Sequence, residues 1–186
     1  MRYNELTFQG RNAVLEAFRS GKTIDKLFIL DGCQDGPIKS IVREAKKTDA
    51  IINYVDKERL DRLAGTGHHQ GVVAIGAAYE YAEVEDILAA AKEKGEDPFI
   101  FILDEIEDPH NLGAIIRTAN LAGAHGVIIP KRRAVGLTAT VAKTSAGAIN
   151  YTPVAKVTNI SQTIEELKKQ GLWFVCVLYV CKDTYR

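Results

Sequence analysis

Residues able to do chemistry concentrate between positions 101 and 130, in FILDEIEDPHNLGAIIRTANLAGAHGVIIP. This stretch reads as an apolar run, an acidic turn, a helical pattern and a second apolar run. Asn111 heads the helical pattern and is the candidate N-cap, with the first-turn amides behind it forming a place for an anionic group. At about 100° per residue, Leu112, Ile115, Ile116, Ala119 and Ala122 share one face, while Gly113, Arg117 and Asn120 take the other. Arg117 is therefore expected to point away from the core. Gly113 lies one turn earlier, where glycine costs roughly 1 kcal/mol relative to alanine, so the expectation is a gap kept open beneath an outward guanidinium. A capped helix with a tolerated glycine and a solvated arginine fits the same residues, and geometry alone does not decide.

Other side chains are weaker candidates. Lys131, Arg132 and Arg133 follow a strand end and suit phosphate, or simply a solvated loop. Arg11 and Asn12 are candidate binding residues, with helix capping as the alternative. His68 and His69 with Gln70 fit a turn or a ligand contact better than a metal site, because no third ligand stands at a suitable spacing. The carboxylates Asp104, Glu105, Glu107 and Asp108 could hold Mg²⁺ but fit better as complements to a helix dipole. Lys143 and Ser145, with Gly147, are expected on a helix lining the same cleft as Arg117; packing and helix termination are the plainer reading.

The elements that must position these residues follow from the apolar pattern. With 186 residues, 46% hydrophobic and 26% charged, the chain has the composition of a soluble globular protein. Its formal net charge of +0 gives no global pull on a polyanion, so nucleic-acid binding requires local basic clusters or an oligomer. Cys33, Cys176 and Cys181 are odd in number without metal-ligand spacing, and the opening MRYNELTFQG lacks a secretion signal's apolar core, so a reducing cytoplasm is expected. No metal site is expected. Residues 172–181 are about half as long as a membrane span and predict a buried strand instead.

Apolar periodicity predicts a helix over 13–18, a second opened by Pro37 with Ile38, Ile41, Val42 and Ala45 at helical spacing, and a third capped by Asp56 and carrying Leu60 and Leu63, with strands at 26–30, 51–55 and 71–76. An amphipathic helix carrying Val84, Ile87, Leu88 and Ala91 stops at Gly95 and reads as a linker. A second alternating set begins at Phe99: strands at 99–103, 126–129, 152–156 and 172–180, with helices at 111–123, 139–148 and 161–170. The prediction is an α/β chain of two α/β domains, covering residues 1–77 and 99–186 and joined through 78–98. No repeat or low-complexity segment interrupts it.

The order N-L-G-A-I-I-R-T-A at 111–119, after a strand and D-P-H, resembles the first signature motif of the SpoU family of RNA 2′-O-ribose methyltransferases in the SPOUT superfamily. H-Q-G-V at 69–72, in a small domain opening with G-R-N-A-V at 10–14, is similar to that family's substrate-binding domain. T-A-T-V-A-K-T-S-A-G-A at 138–148, followed by Pro153 and Val154, is similar to the segment after its first motif. The resemblance runs from about residue 6 to about residue 175. It implies an amino-terminal ribosomal-protein-like RNA-binding domain and a trefoil-knot-type catalytic domain. It also implies methyl transfer from S-adenosylmethionine to a ribose 2′-hydroxyl, a homodimer, and large-subunit ribosomal RNA, then transfer RNA, as substrates. Arg117 then stands at the catalytic position and Asn111 is its companion, while Arg11, Asn12, His69 and Gln70 in the first domain and Lys131, Arg132, Arg133, Lys143 and Ser145 in the second become candidate RNA contacts. Arginine stays protonated, so orientation and charge stabilisation suit Arg117 better than proton abstraction, and the base is unassigned.

The carboxy-terminal part departs from the pattern. Neither the apolar-G-x-E-x-x-G segment nor the S-L-N segment expected to complete the cofactor pocket is present after Asn150. The catalytic domain therefore reads as truncated, its cofactor pocket incomplete and its activity impaired. A non-catalytic RNA-binding module is the alternative. A Mg²⁺-dependent phosphate enzyme is disfavoured by the lack of a GxxxxGK[ST] loop.

Overall fold

The computed structural model describes residues 6–48, 50–65 and 67–177. The first unit is built on four strands, β1 (Leu6–Gln9), β2 (Ile24–Leu30), β3 (Ile51–Val55) and β4 (Val72–Gly76), in the order β1-β4-β2-β3. β4 runs antiparallel to both β1 and β2, while β2 and β3 are parallel, joined through a helix. Alternation along β2 decides which side chains meet which helix. Leu27 and Ile29 pack with Val14 and Phe18 of α1 (Arg11–Arg19) and with Ile38 and Ile41 of α2 (Gly36–Lys47). Phe28 faces the other way, against Leu60 of α3 (Lys57–Ala64). Asp35 and Asp56 start α2 and α3, their carboxylates accepting from the Ile38 and Arg59 amides at 3.2 and 2.7 Å.

The second unit has three parallel strands, β5 (Ile100–Ile102), β6 (Gly126–Pro130) and β7 (Val154–Val157), with β6 central. Central β6 is buried along its length, as a parallel strand covered on both faces must be. One face meets α5 (Pro109–Leu121), which buries Leu112, Ile116 and Ala119 together with Val127 and Ile129. Each large apolar side chain among them contributes about 1.5–3 kcal/mol when withdrawn from water. On the other face Ile128 packs with Ile87 of α4 (Val84–Lys94) and Leu167 of α7 (Ile160–Lys169). The helix expected to be a linker is thus a layer of the second unit's core.

Several elements differ from the sequence expectations for identifiable reasons. β1 has no counterpart among the expected strands; its four residues are too few for a pattern, and its register on β4 creates it. The helix expected over 139–148 is α6 (Ala139–Thr144) and ends because Ala146 and Gly147 take φ of 50° and 88°. A short 3-10 turn, Ala148–Asn150, follows. The strand expected over 172–180 has no regular structure across 172–177, where Trp173, Val175 and Val177 are exposed, and 178–180 lie outside the described residues. Alternation is a local signal, whereas a strand also needs a hydrogen-bonding neighbour. Among the described residues no helix is long and apolar enough to cross a membrane.

The two units meet through a buried polar cluster. Asp25 of β2 accepts from the Lys156 ammonium of β7 at 2.5 Å, their side chains only 5% and 14% exposed. The Tyr81 hydroxyl donates to the same carboxylate at 3.0 Å and accepts from the Leu137 amide at 2.9 Å. The Lys156 ammonium also lies 4.6 Å from the Tyr81 ring centroid. Burial, then the Asp25 charge, pushes the Tyr81 phenol far above its usual range, so it remains a donor. Gly136 passes so close that a Cβ there would collide with the Asp25 carboxylate.

Breaking one member of this cluster leaves a buried charge alone. Asp25→Asn and Lys156→Met should each cost about 3–5 kcal/mol in urea unfolding, and the two substitutions combined should cost less than their sum. Additive losses in that double-mutant cycle would show that the two groups do not interact.

Candidate functional site

Arg117 lies on the exposed side of α5, and among the described residues its guanidinium has no hydrogen bond or ion pair. This is the orientation expected from the helical pattern. The reasons given for it need correction at two residues. Asn111 is not the N-cap; Asp108 is, its carboxylate accepting from the His110 amide at 3.0 Å with Pro109 opening the helix. Asn111 is therefore an exposed residue of the first turn. Six positions before Arg117, it projects about 120° away around the helix.

Gly113 does not hold a gap open for a ligand. A Cβ there would collide with the Thr144 hydroxyl and lie 3.0 Å from the Ser145 amide nitrogen. The missing side chain lets α6 cross α5 at close range. Thr144 seals the crossing, its hydroxyl within 2.9 Å of the Thr140 carbonyl and 3.4 Å of Pro109's. Helical periodicity placed Gly113 on Arg117's side correctly, but could not say that another helix covers it.

The remaining candidates separate by burial. Lys143 is exposed in the last turn of α6, whereas Ser145 is 0% exposed and donates to the Ala142 carbonyl at 2.9 Å, a helix-ending bond. Ser145 is thus a packing residue and does not line a cleft. His69 is also buried, which corrects its reading as an RNA contact. Its Nδ1 accepts from the Gly71 amide at 3.0 Å, so the proton sits on Nε2, 2.9 Å from Asp61. Arg11 and Gln70 meet: the Arg11 amide donates to the Gln70 side chain at 3.2 Å, and its guanidinium pairs with Asp35 at 2.5 Å. They line, with exposed Asn12, a cavity of about 610 Å³ on the first unit.

Lys131, Arg132 and Arg133 occupy the loop after β6, at the seam between the units. Arg133 pairs with Glu105 at 2.9 Å, so two of the acidic-turn residues are spent on structure, Glu105 here and Asp108 as the cap. Across the seam stand Lys26 of β2 and Arg59 of α3, which the sequence reading missed. Both read as ordinary surface charges in the chain, and nothing local says that they face residues 131–133. These five cations and Glu107 line a cavity of about 620 Å³ whose apolar wall includes Ile51 and Val135.

S-adenosylmethionine needs an enclosed adenine slot beside the methyl acceptor. Neither cavity is lined by Arg117 or Asn111; the first is rimmed by cations and the second is a shallow site around Arg11 and Gln70. Neither of these two cavities therefore fits that group.

Residues 9–82 match the family described as RNA 2′-O ribose methyltransferase substrate binding, and residues 98–185 match the SpoU rRNA methylase family. The chain is 54% identical, over 177 residues, to a Bacillus subtilis protein named for the TrmH family of tRNA/rRNA methyltransferases, covering 95% of this chain and 71% of that one. A Staphylococcus haemolyticus relative named for the same family is 48% identical over 169 residues, covering 91% and 68%. An AdoMet-bound rRNA methyltransferase from Sinorhizobium meliloti is 23% identical, with a TM-score of 0.41, too loose a likeness to locate residues. It covers 87% of this chain, and this chain spans only 58% of that structure. With both units matched in order and close relatives along nearly the whole chain, the protein belongs to the SpoU family of RNA 2′-O-ribose methyltransferases, a substrate-binding domain preceding a SpoU methylase domain.

Proposed function

We propose that this chain supplies the RNA-facing part of an S-adenosylmethionine-dependent methyltransferase acting on a ribose 2′-hydroxyl of ribosomal RNA, with transfer RNA as the second substrate. Residues 1–77 recognise the RNA and the unit from residue 99 onward presents it, with α4 serving that unit. The observation that carries this reading is Arg117, exposed and without a described partner on the helix of the first signature motif. A planar guanidinium with five donors can grip an RNA phosphate and hold the neighbouring ribose oxygen in line for attack. It has no acceptor and keeps its proton, so its work is positioning and neutralisation. Asn111, on the first turn of the same helix, adds an amide for the ribose or phosphate. Arg11, Asn12 and Gln70 form RNA contacts on the first unit, and Lys131, Arg132, Arg133 and Lys143 form them on the second.

Neither cavity frames the methyl donor, and that observation favours a second reading, a module that binds RNA without chemistry. The proposal includes a cytoplasmic homodimer.

Methyl transfer from labelled S-adenosylmethionine to ribosomal RNA decides between these readings. Under the enzyme reading, Arg117→Ala lowers the transfer rate by about 100-fold or more and changes RNA affinity far less. RNA binding by the wild type with no transfer at any enzyme concentration establishes the binding module. Sedimentation equilibrium should show a dimer, and a monomer across the micromolar range would remove that part of the proposal.

Gly113→Ala tests the positioning of Arg117 from the other side. Forcing α6 away from α5 should cost about 1–3 kcal/mol, seen as a lower melting temperature, and should misplace the guanidinium. An unchanged melting temperature would mean that the crossing is loose.

A further inference from the structure

We propose that the cavity at the seam between the two domains is a binding groove for an unpaired RNA segment, gripped jointly by Lys26 and Arg59 of the first domain and Arg132 of the second. The inference rests on the RNA methyltransferase reading and adds to it a place where substrate bridges both domains. A chain of formal net charge +0 gathers five cations around this one cavity, against the single carboxylate of Glu107. Arg133 is already engaged by Glu105, but Lys26, Arg59 and Arg132 have no side-chain ion pair among the described residues. Cations left unpaired around one cavity repel unless a polyanion lies between them, and a phosphodiester backbone supplies repeated negative charge.

The cavity's shape selects the form of RNA. Its volume of about 620 Å³ is that of a small-ligand pocket and takes one or two nucleotides rather than a duplex. Its walls alternate cations with the apolar side chains of Ile51 and Val135, so a splayed base can lie on hydrocarbon while its phosphates meet Lys26 and Arg59. Asn53, on the edge strand β3, offers an amide to a base edge. The groove exists only while the domains are docked, because one wall belongs to β2, β3 and α3 and the other to the loop after β6. The Asp25–Lys156 pair holds those walls together.

The test is fluorescence anisotropy of a labelled unpaired oligoribonucleotide, titrated with the full chain at several salt concentrations. Removing three phosphate contacts in Lys26→Gln/Arg59→Gln/Arg132→Gln should reduce the salt slope by about 2 and weaken binding by several tens-fold at about 0.15 M salt. Lys92→Gln/Lys94→Gln/Lys169→Gln, an equal change in net charge on exposed helix surface, should leave the slope unchanged. If the half-buried Lys26 substitution unfolds the chain, Arg59→Gln/Arg132→Gln should lower the slope by about 1.4. Wild-type binding with the same slope in the seam variants, or an equal drop in the control, overturns the groove and leaves the methyltransferase reading standing. A blunt duplex of equal length bound as tightly overturns the preference for unpaired RNA, and no RNA binding by the wild type overturns the parent reading as well.

Discussion

An ion pair withdrawn from water is a poor source of net stability, because each charge gives up solvation that its partner only partly restores. What the Asp25–Lys156 pair supplies here is specificity of placement. The carboxylate has one arrangement in which it meets the ammonium and the Tyr81 hydroxyl at once, and that arrangement fixes β2 against β7. Gly136 lets the loop from β6 pass over the pair, and Tyr81 holds that loop through the Leu137 amide. The basic residues 131–133 are part of this loop. A slip in the docking of the domains would therefore move the cations that face Lys26 and Arg59.

A second constraint works inside the methylase domain. The close crossing of α5 and α6 at Gly113 fixes the rotation of α5 about its axis, and with it the direction of Arg117. Leu112, Ile116 and Ala119 hold the opposite side on the sheet. Arg117 is thus aimed by packing on two sides rather than by any bond of its own. This leaves all of the guanidinium's donors available for an incoming anion, whereas Arg11 and Arg133 share theirs with Asp35 and Glu105.

Much of this is legible in the chain. The Pro37 opening of α2, the cap at Asp56, the apolar stripe of α5 and the continuous apolar run of β6 each follow from nearest-neighbour chemistry and periodicity, and they yield two α/β units with Arg117 facing outward. The motif at 111–119 points to the family. Errors arise where a residue's meaning depends on its surroundings in space. Asn111 looks like a cap as long as Asp108 reads as one member of an acidic cluster. His69 and Ser145 look accessible because polarity suggests exposure, although both satisfy their hydrogen bonds within a few residues and are buried.

Spacing, capping and motif operate over a few turns of chain, and the local elements, the domain order and the family can be read from them. Tertiary structure alone decided that Gly113 is a packing contact, that α4 belongs to the core, and that Asp25, 131 residues before Lys156, is its partner. It also decided that Lys26 and Arg59 face the loop after β6. The physical reason is that burial and pairing belong to the space between elements, and no periodicity along one element records what its neighbour will bring.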